Sequence, residues 1–138
     1  MGLFDSLFGS KKMTRERVME MARGNFADFT KAELAGLDLS GIAFSQNEFN
    51  QANLKGAKLT KSRFSQCDFK YADLSGTDLD GATFEQCDFF SAKLEDTSRK
   101  GATFSQCDFK NTSWEGMDKR AQAGTTFSQC DGIEENDD

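Results

Sequence analysis

The sequence predicts an all-β solenoid of four-sided coils, about five coils tall, closed at its N-terminal end by a short α-helix. Two nested periodicities carry this. The phrase FSQNE at 44–48 returns as FSQCD at 64–68, FEQCD at 84–88 and FSQCD at 104–108, each 20 residues on. A last FSQCD, at 127–131, follows after 23 residues. Within each block large apolar residues recur every fifth position: Phe44, Phe49, Leu54, Leu59, then Phe64, Phe69, Leu74, Leu79. A period of five suits neither a helix nor a flat strand, because the residues would spiral around either one. It suits a chain that turns a corner every five residues, so that four sides close one coil of 20. Stacked coils then pair side by side as parallel strands ~4.8 Å apart. A coil that cannot bury its own apolar residues gains a continuous core by stacking.

The elements follow in order. In residues 1–12, Leu3, Phe4, Leu7 and Phe8 share one face of a short helical segment, with Lys11 and Lys12 behind them. That segment reads as a membrane-surface or partner-docking anchor, or, since Gly2 and Ser6 fit the loose motif, as a myristoylation site. The reading adopted is a disordered or packing N-terminus. Residues 13–24 form the capping helix: Thr14 is the expected N-cap, Glu16 lies in the first turn, Gly24 closes the end, and Val18, Met21 and Ala22 share a face. An uncovered solenoid end invites further stacking, which is why a cap is expected.

Coils are expected at 24–43, 44–63, 64–83, 84–103 and 104–123, the β-helix as a whole spanning 25–131. The fourth side breaks the pattern. Its central row reads Leu39, Leu59, Leu79, Arg99, Lys119. A buried, unpaired arginine is costly, so this side is expected to bulge outward or Arg99 to snorkel to water, with a loop over 95–101. The segment 119–124 shifts the phase and is expected to end or distort the fifth coil. The tail 132–138, GIEENDD, reads as acidic and disordered.

Composition excludes several classes. The net charge is −6, spread as +2 over residues 1–24, −5 over 25–118 and −3 over 119–138. Non-specific nucleic-acid binding needs the opposite sign. No secretory signal is read at the N-terminus, so the expected location is cytoplasmic. There is no histidine and no proline. With no phosphate loop, nucleophile elbow or metalloprotease motif, no enzyme activity is expected.

Two ladders remain. Cys67, Cys87, Cys107 and, by context, Cys130 share one inward slot. Stacked thiols in parallel do not favour a disulfide dihedral, and a straight ladder does not make a tetrahedral metal site. They are read as small apolar filler, and neither metal nor cofactor is assigned. Asp28, Glu48, Asp68, Asp88 and Asp108, with Asp131, form an outward ladder. Like charges at this spacing repel by ~1 kcal/mol per pair in water, so local compensation is expected. The ladder is either an ordinary solvated edge or an anionic strip that meets a basic partner. Gln46, Gln66, Gln86, Gln106 and Gln129 run beside it.

The triplets Ala52-Asn53-Leu54, Ala57-Lys58-Leu59, Ala72-Asp73-Leu74 and Ala92-Lys93-Leu94 carry a family resemblance. Over about residues 25–118 the sequence resembles the pentapeptide-repeat proteins, whose unit is loosely A-(D/N)-L-x-x. The resemblance implies a right-handed quadrilateral β-helix, the hand that parallel crossovers also prefer. It implies a non-catalytic interaction surface. A second implication is DNA mimicry toward a type II topoisomerase such as gyrase, protecting it from quinolones. A third reading makes the chain a peripheral membrane adaptor through residues 1–12. The candidate interaction residues are the acidic ladder, Arg99, and the apolar face of the N-terminal segment.

Overall fold

The computed structural model describes residues 12–113 and 124–133. It is a parallel β-solenoid of about four turns with one short helix at its start. The helix α1 spans Arg15–Ala22, and five three-residue strands follow: β1 Ala43–Ser45, β2 Arg63–Ser65, β3 Thr83–Glu85, β4 Thr103–Ser105 and β5 Thr126–Ser128. They form one parallel sheet in chain order, with Phe44, Phe64, Phe84, Phe104 and Phe127 in register. The other three sides are joined by single-residue parallel bridges, such as Asn53 to Asp73 and Asp78 to Ser98.

The five-residue period is a backbone rule. Each side alternates its bonds up and down the stack: Phe49 N–H donates to Asp68 O at 2.7 Å, and Asp68 N–H donates to Asn47 O at 3.2 Å. At every corner one residue takes the left-handed conformation, as at Gln51 (φ 60°), Gly56 (φ 70°), Lys61 (φ 61°) and Gln66 (φ 56°). Left-handed backbone costs non-glycine residues roughly 1–2 kcal/mol, and at the Gln51, Gly56 and Lys61 corners a backbone bond holds it in place. Ala52 donates to Phe49 O at 3.0 Å, Ala57 to Leu54 O at 2.9 Å and Ser62 to Leu59 O at 3.1 Å. The corners after Phe44, Phe64, Phe84 and Phe104 have no such bond and stand open.

The core is two columns of phenylalanine and two of leucine. Phe44, Phe64, Phe84 and Phe104 stack nearly parallel, with centroids 4.8, 4.7 and 5.0 Å apart. Phe29, Phe49, Phe69, Phe89 and Phe109 make the second column, and the two meet edge to face, as Phe64 and Phe69 do at 5.3 Å. Leu54, Leu74 and Leu94 are buried in the third. In the inward slot between columns sit small residues. Where they are hydroxylic they bond to the chain: Ser62 Oγ donates to Leu39 O at 2.7 Å and Thr77 Oγ1 to Leu74 O at 2.7 Å.

The fourth side neither bulges nor opens into a loop at 95–101. Leu79 donates to Ser98 O at 2.7 Å, Gly81 to Lys100 O at 2.8 Å, and Ser98 to Thr77 O at 3.0 Å. Arg99 keeps the central position and is fully buried, so it does not snorkel to water. The backbone ladder is blind to the side chain it carries, and breaking it would leave several amides unpaired at once. The next residue of that row, Lys119, and Trp114 lie outside the described residues, as do 119–123. By Gly124 the coil is back in phase, with Thr126 opposite Thr103 and Asp131 opposite Asp108. The three extra residues are therefore absorbed before the fifth strand.

Both ends show how the column is closed. Thr14 caps α1 by accepting from Arg17 N–H at 3.2 Å. Val18 is buried on the core, with Met21 and Ala22 packed beside it. Arg15 Nη1 donates to the Asp38 carbonyl at 2.9 Å, satisfying a group on the first coil's open edge. The helix ends at Arg23, which is right-handed (φ −60°), and not at a left-handed Gly24. At the far end Ile133, assigned by sequence to the tail, packs against the core. Gly132 beside it has φ +83°, and a Cβ there would lie 2.5 Å from the Phe109 carbonyl carbon, so only glycine passes. Residues 134–138 are outside the description.

Candidate interaction surface and the thiol column

The acidic ladder is a continuous structural feature. Parallel bridges link Asp28, Glu48, Asp68, Asp88, Asp108 and Asp131 in sequence along one edge of the second side. Much of each carboxylate's work is local. Asp28, Asp88 and Asp108 accept the backbone N–H two residues on, from Thr30 at 2.9 Å, Phe90 at 2.9 Å and Lys110 at 2.8 Å. Asp38 and Asp73 repeat the device on other sides. Where it does so the aspartate ties down the turn that follows, which explains those acidic residues without any partner. At Asp68 the Lys70 N–H donates to Asn50 Oδ1 instead, at 3.0 Å.

The expected compensation is one lysine. Lys70 Nζ lies 3.3 Å from Asp68 and 3.5 Å from Asp88, bridging two rungs. Burial works against its charge, but Asp68 and then Asp88 outweigh burial and raise its pKa. Beside it, Tyr71 is 57% exposed and meets Phe90 edge to face at 5.9 Å. Sequence periodicity passes over this aromatic pair, because both residues fall outside the apolar phase. The sequence signal is an aromatic residue at a position otherwise polar.

Next to the ladder runs the open corner. Gln86, Gln106 and Gln129 on one bank and Asp88, Asp108 and Asp131 on the other line a shallow groove of about 400 Å³ whose floor includes Cys87 and Cys107. A second open groove, about 650 Å³, crosses the third side between Lys55, Asp73, Lys93 and Glu95, where charges of both signs alternate.

Under the first groove lies the thiol column. Cys67, Cys87 and Cys107 are buried, Cys130 is half-buried, and all four are free thiols. Their surroundings repeat. Each Sγ faces the carbonyl of the phenylalanine in the preceding coil: Cys67 to Phe44 at 3.7 Å, Cys87 to Phe64 at 3.5 Å, Cys107 to Phe84 at 3.5 Å and Cys130 to Phe104 at 3.4 Å. Each also faces the carbonyl two residues back. The thiols thus serve the carbonyls at the one corner that lacks its own backbone bond. Burial pushes the Cys87 thiol up, while donation from Cys130 and then Cys87 draws Cys107 down. One coil below Cys67 the same slot holds Asn47, 1% exposed, with neither amide atom hydrogen-bonded.

The remaining candidates divide. Arg99 is enclosed and presents nothing to a partner. Leu3, Phe4, Leu7 and Phe8 lie outside the described residues. Among the described residues no helix is long and apolar enough to cross a membrane.

Eight copies of the unit described as pentapeptide repeats match the chain, over residues 27–66, 48–86 and 67–98, just over half its length. The chain belongs to the pentapeptide-repeat family. Among solved structures it is similar to the pentapeptide repeat protein Rfr23 from the cyanobacterium Cyanothece 51142. The two are 21% identical with a TM-score of 0.52, over 80% of this chain and 67% of that one. It is similar to alr5209 from Nostoc PCC 7120 at 29% identity and a TM-score of 0.45, over 83% and 95% of the two chains. QnrB1, a plasmid-mediated fluoroquinolone resistance protein, is 16% identical with a TM-score of 0.33, over 85% and 89%. No curated protein matches. As a pentapeptide-repeat solenoid the chain has its interior filled mainly by rings and aliphatic side chains, with the thiol column, Asn47 and Arg99 among them.

Proposed function

We propose that the protein is a cytoplasmic, non-catalytic interaction rod that offers a rigid acidic edge to a basic groove on another protein. One observation carries the reading: six carboxylates stand in unbroken register along a single edge. Lys70 is the one cation that bridges two of its rungs among the described residues. A flat backbone ladder fixes their spacing, so a partner meets preordered charge and little ordering entropy is lost. Such contacts steer association and weaken as salt shortens the Debye length, ~10 Å at 0.1 M.

The test replaces Asp68, Asp88 and Asp108 by Asn together. Asparagine keeps the acceptor that ties the turn after Asp88 and Asp108 while removing the charge. Melting temperature is expected to stay level or rise slightly, since self-repulsion falls and an exposed ion pair is worth only ~0–1 kcal/mol. Capture of the partner from native cytosol, measured at low and high salt, is expected to drop. Unchanged, salt-insensitive capture by the triple variant would make the ladder a structural edge only. Recovery of topoisomerase subunits would name the partner. Recovery of membrane that requires residues 1–12 would transfer the function to that segment.

A further inference from the structure

We infer that the column of Cys67, Cys87, Cys107 and Cys130 is a linear thiolate ladder able to take soft two-coordinate cations, copper(I) first among them, each held between one pair of successive sulfurs. The four sulfurs have the same carbonyl partners at nearly the same distances, so each is the last one moved up by one coil. The coil spacing is given by the neighbouring ring column, 4.8, 4.7 and 5.0 Å. Two metal–sulfur bonds of about 2.3 Å laid end to end span ~4.6 Å. A straight row of sulfurs at this spacing cannot close a tetrahedron around zinc. Among the described residues no cluster of three or more ligands is placed to hold a metal. A collinear S–M–S bridge needs only two ligands and a straight line, and thiolate softness selects copper(I).

Two further features point the same way. The groove over the column is walled by Asp88, Asp108 and Asp131 and reaches Cys87 and Cys107, so a cation is concentrated where it must enter. Cys130, half-buried, leaves the upper end of the column approachable. Each thiol releases its proton to solvent as its bond to the metal forms. Copper enters as copper(I), so no electron is transferred, and each cation offsets one of the two thiolate charges that burial would otherwise disfavour.

The test uses the full chain, reduced and oxygen-free, titrated with copper(I) as its acetonitrile complex and then desalted against a chromogenic copper(I) chelator. The parent is expected to retain about two ions, one between Cys67 and Cys87 and one between Cys107 and Cys130, with near-ultraviolet thiolate-to-copper absorption and a raised melting temperature. Cys87→Ala interrupts the row and is expected to retain about one, between Cys107 and Cys130. Cys130→Ala leaves three sulfurs, room for one such link, and is expected to retain about one. Alanine occupies the equivalent slot at Ala52, Ala72 and Ala92, so these variants have a place in the fold. Absence of retained copper in the folded parent would overturn the inference. So would parental stoichiometry in Cys87→Ala, or zinc retained as well as copper(I). Partner capture does not depend on the outcome.

Discussion

Asn47 is the residue at which this molecule departs from its own rule. In the coils above, the slot is filled by a thiol that bonds to a carbonyl. Here it holds an amide of similar reach that bonds to nothing. An unsatisfied buried polar group costs about 1–3 kcal/mol. Asn47→Cys restores the slot's usual occupant and is expected to stabilise the fold by ~1–2 kcal/mol, read as a higher urea midpoint at unchanged slope. A lower midpoint would show that the amide is satisfied in solution by a bound water. Arg99 is the opposite case. It looked in sequence like a defect that the backbone must avoid, and the backbone does not respond to it.

The strands are too short to be stable elements by themselves, and α1 has only eight residues. Neither persists without the stack. What each element contributes is closure. The helix covers the first coil with Val18 and satisfies its edge through Arg15. Its anchor is the Thr14 cap, and Thr14→Ala is expected to cost ~1 kcal/mol. The loss should appear first as faster amide exchange in the coil at 27–43, before any change at 84–105. Uniform exchange would mean that the cap and the column unfold as one unit.

Across the whole molecule stability is a sum of nearest-neighbour stacking contacts, so the middle matters most. Phe84 has ring neighbours above and below, Phe104 at 5.0 Å and Phe64 at 4.7 Å, and Phe89 edge-on at 5.3 Å. Regular backbone ladders on all sides prevent the coils from closing over a hole. Phe84→Ala is therefore expected to cost ~3–5 kcal/mol, measured by chemical denaturation. A variant that melts at the parental temperature would mean that the ring column is not the main source of stability.

The period of five, the 20-residue coil, the Phe and Leu columns, the capping helix and the acidic ladder were all legible in the sequence. Each rests on a translational repeat, and a repeat in sequence becomes a repeat in space as soon as coils stack. Tertiary structure decided what happens where the repeat fails. Whether Arg99 leaves the core depends on the strength of the ladder carrying it, and that ladder is backbone, which the side-chain pattern does not display. Whether 23 residues can replace 20 depends on how the chain returns to Gly124 above Gly101. The bridging of two rungs by Lys70, the open corner above the thiols and the exposed Tyr71–Phe90 pair all join residues about 20 positions apart. They exist only because stacking brings coil against coil, and they fall outside the apolar phase by which the repeat is read.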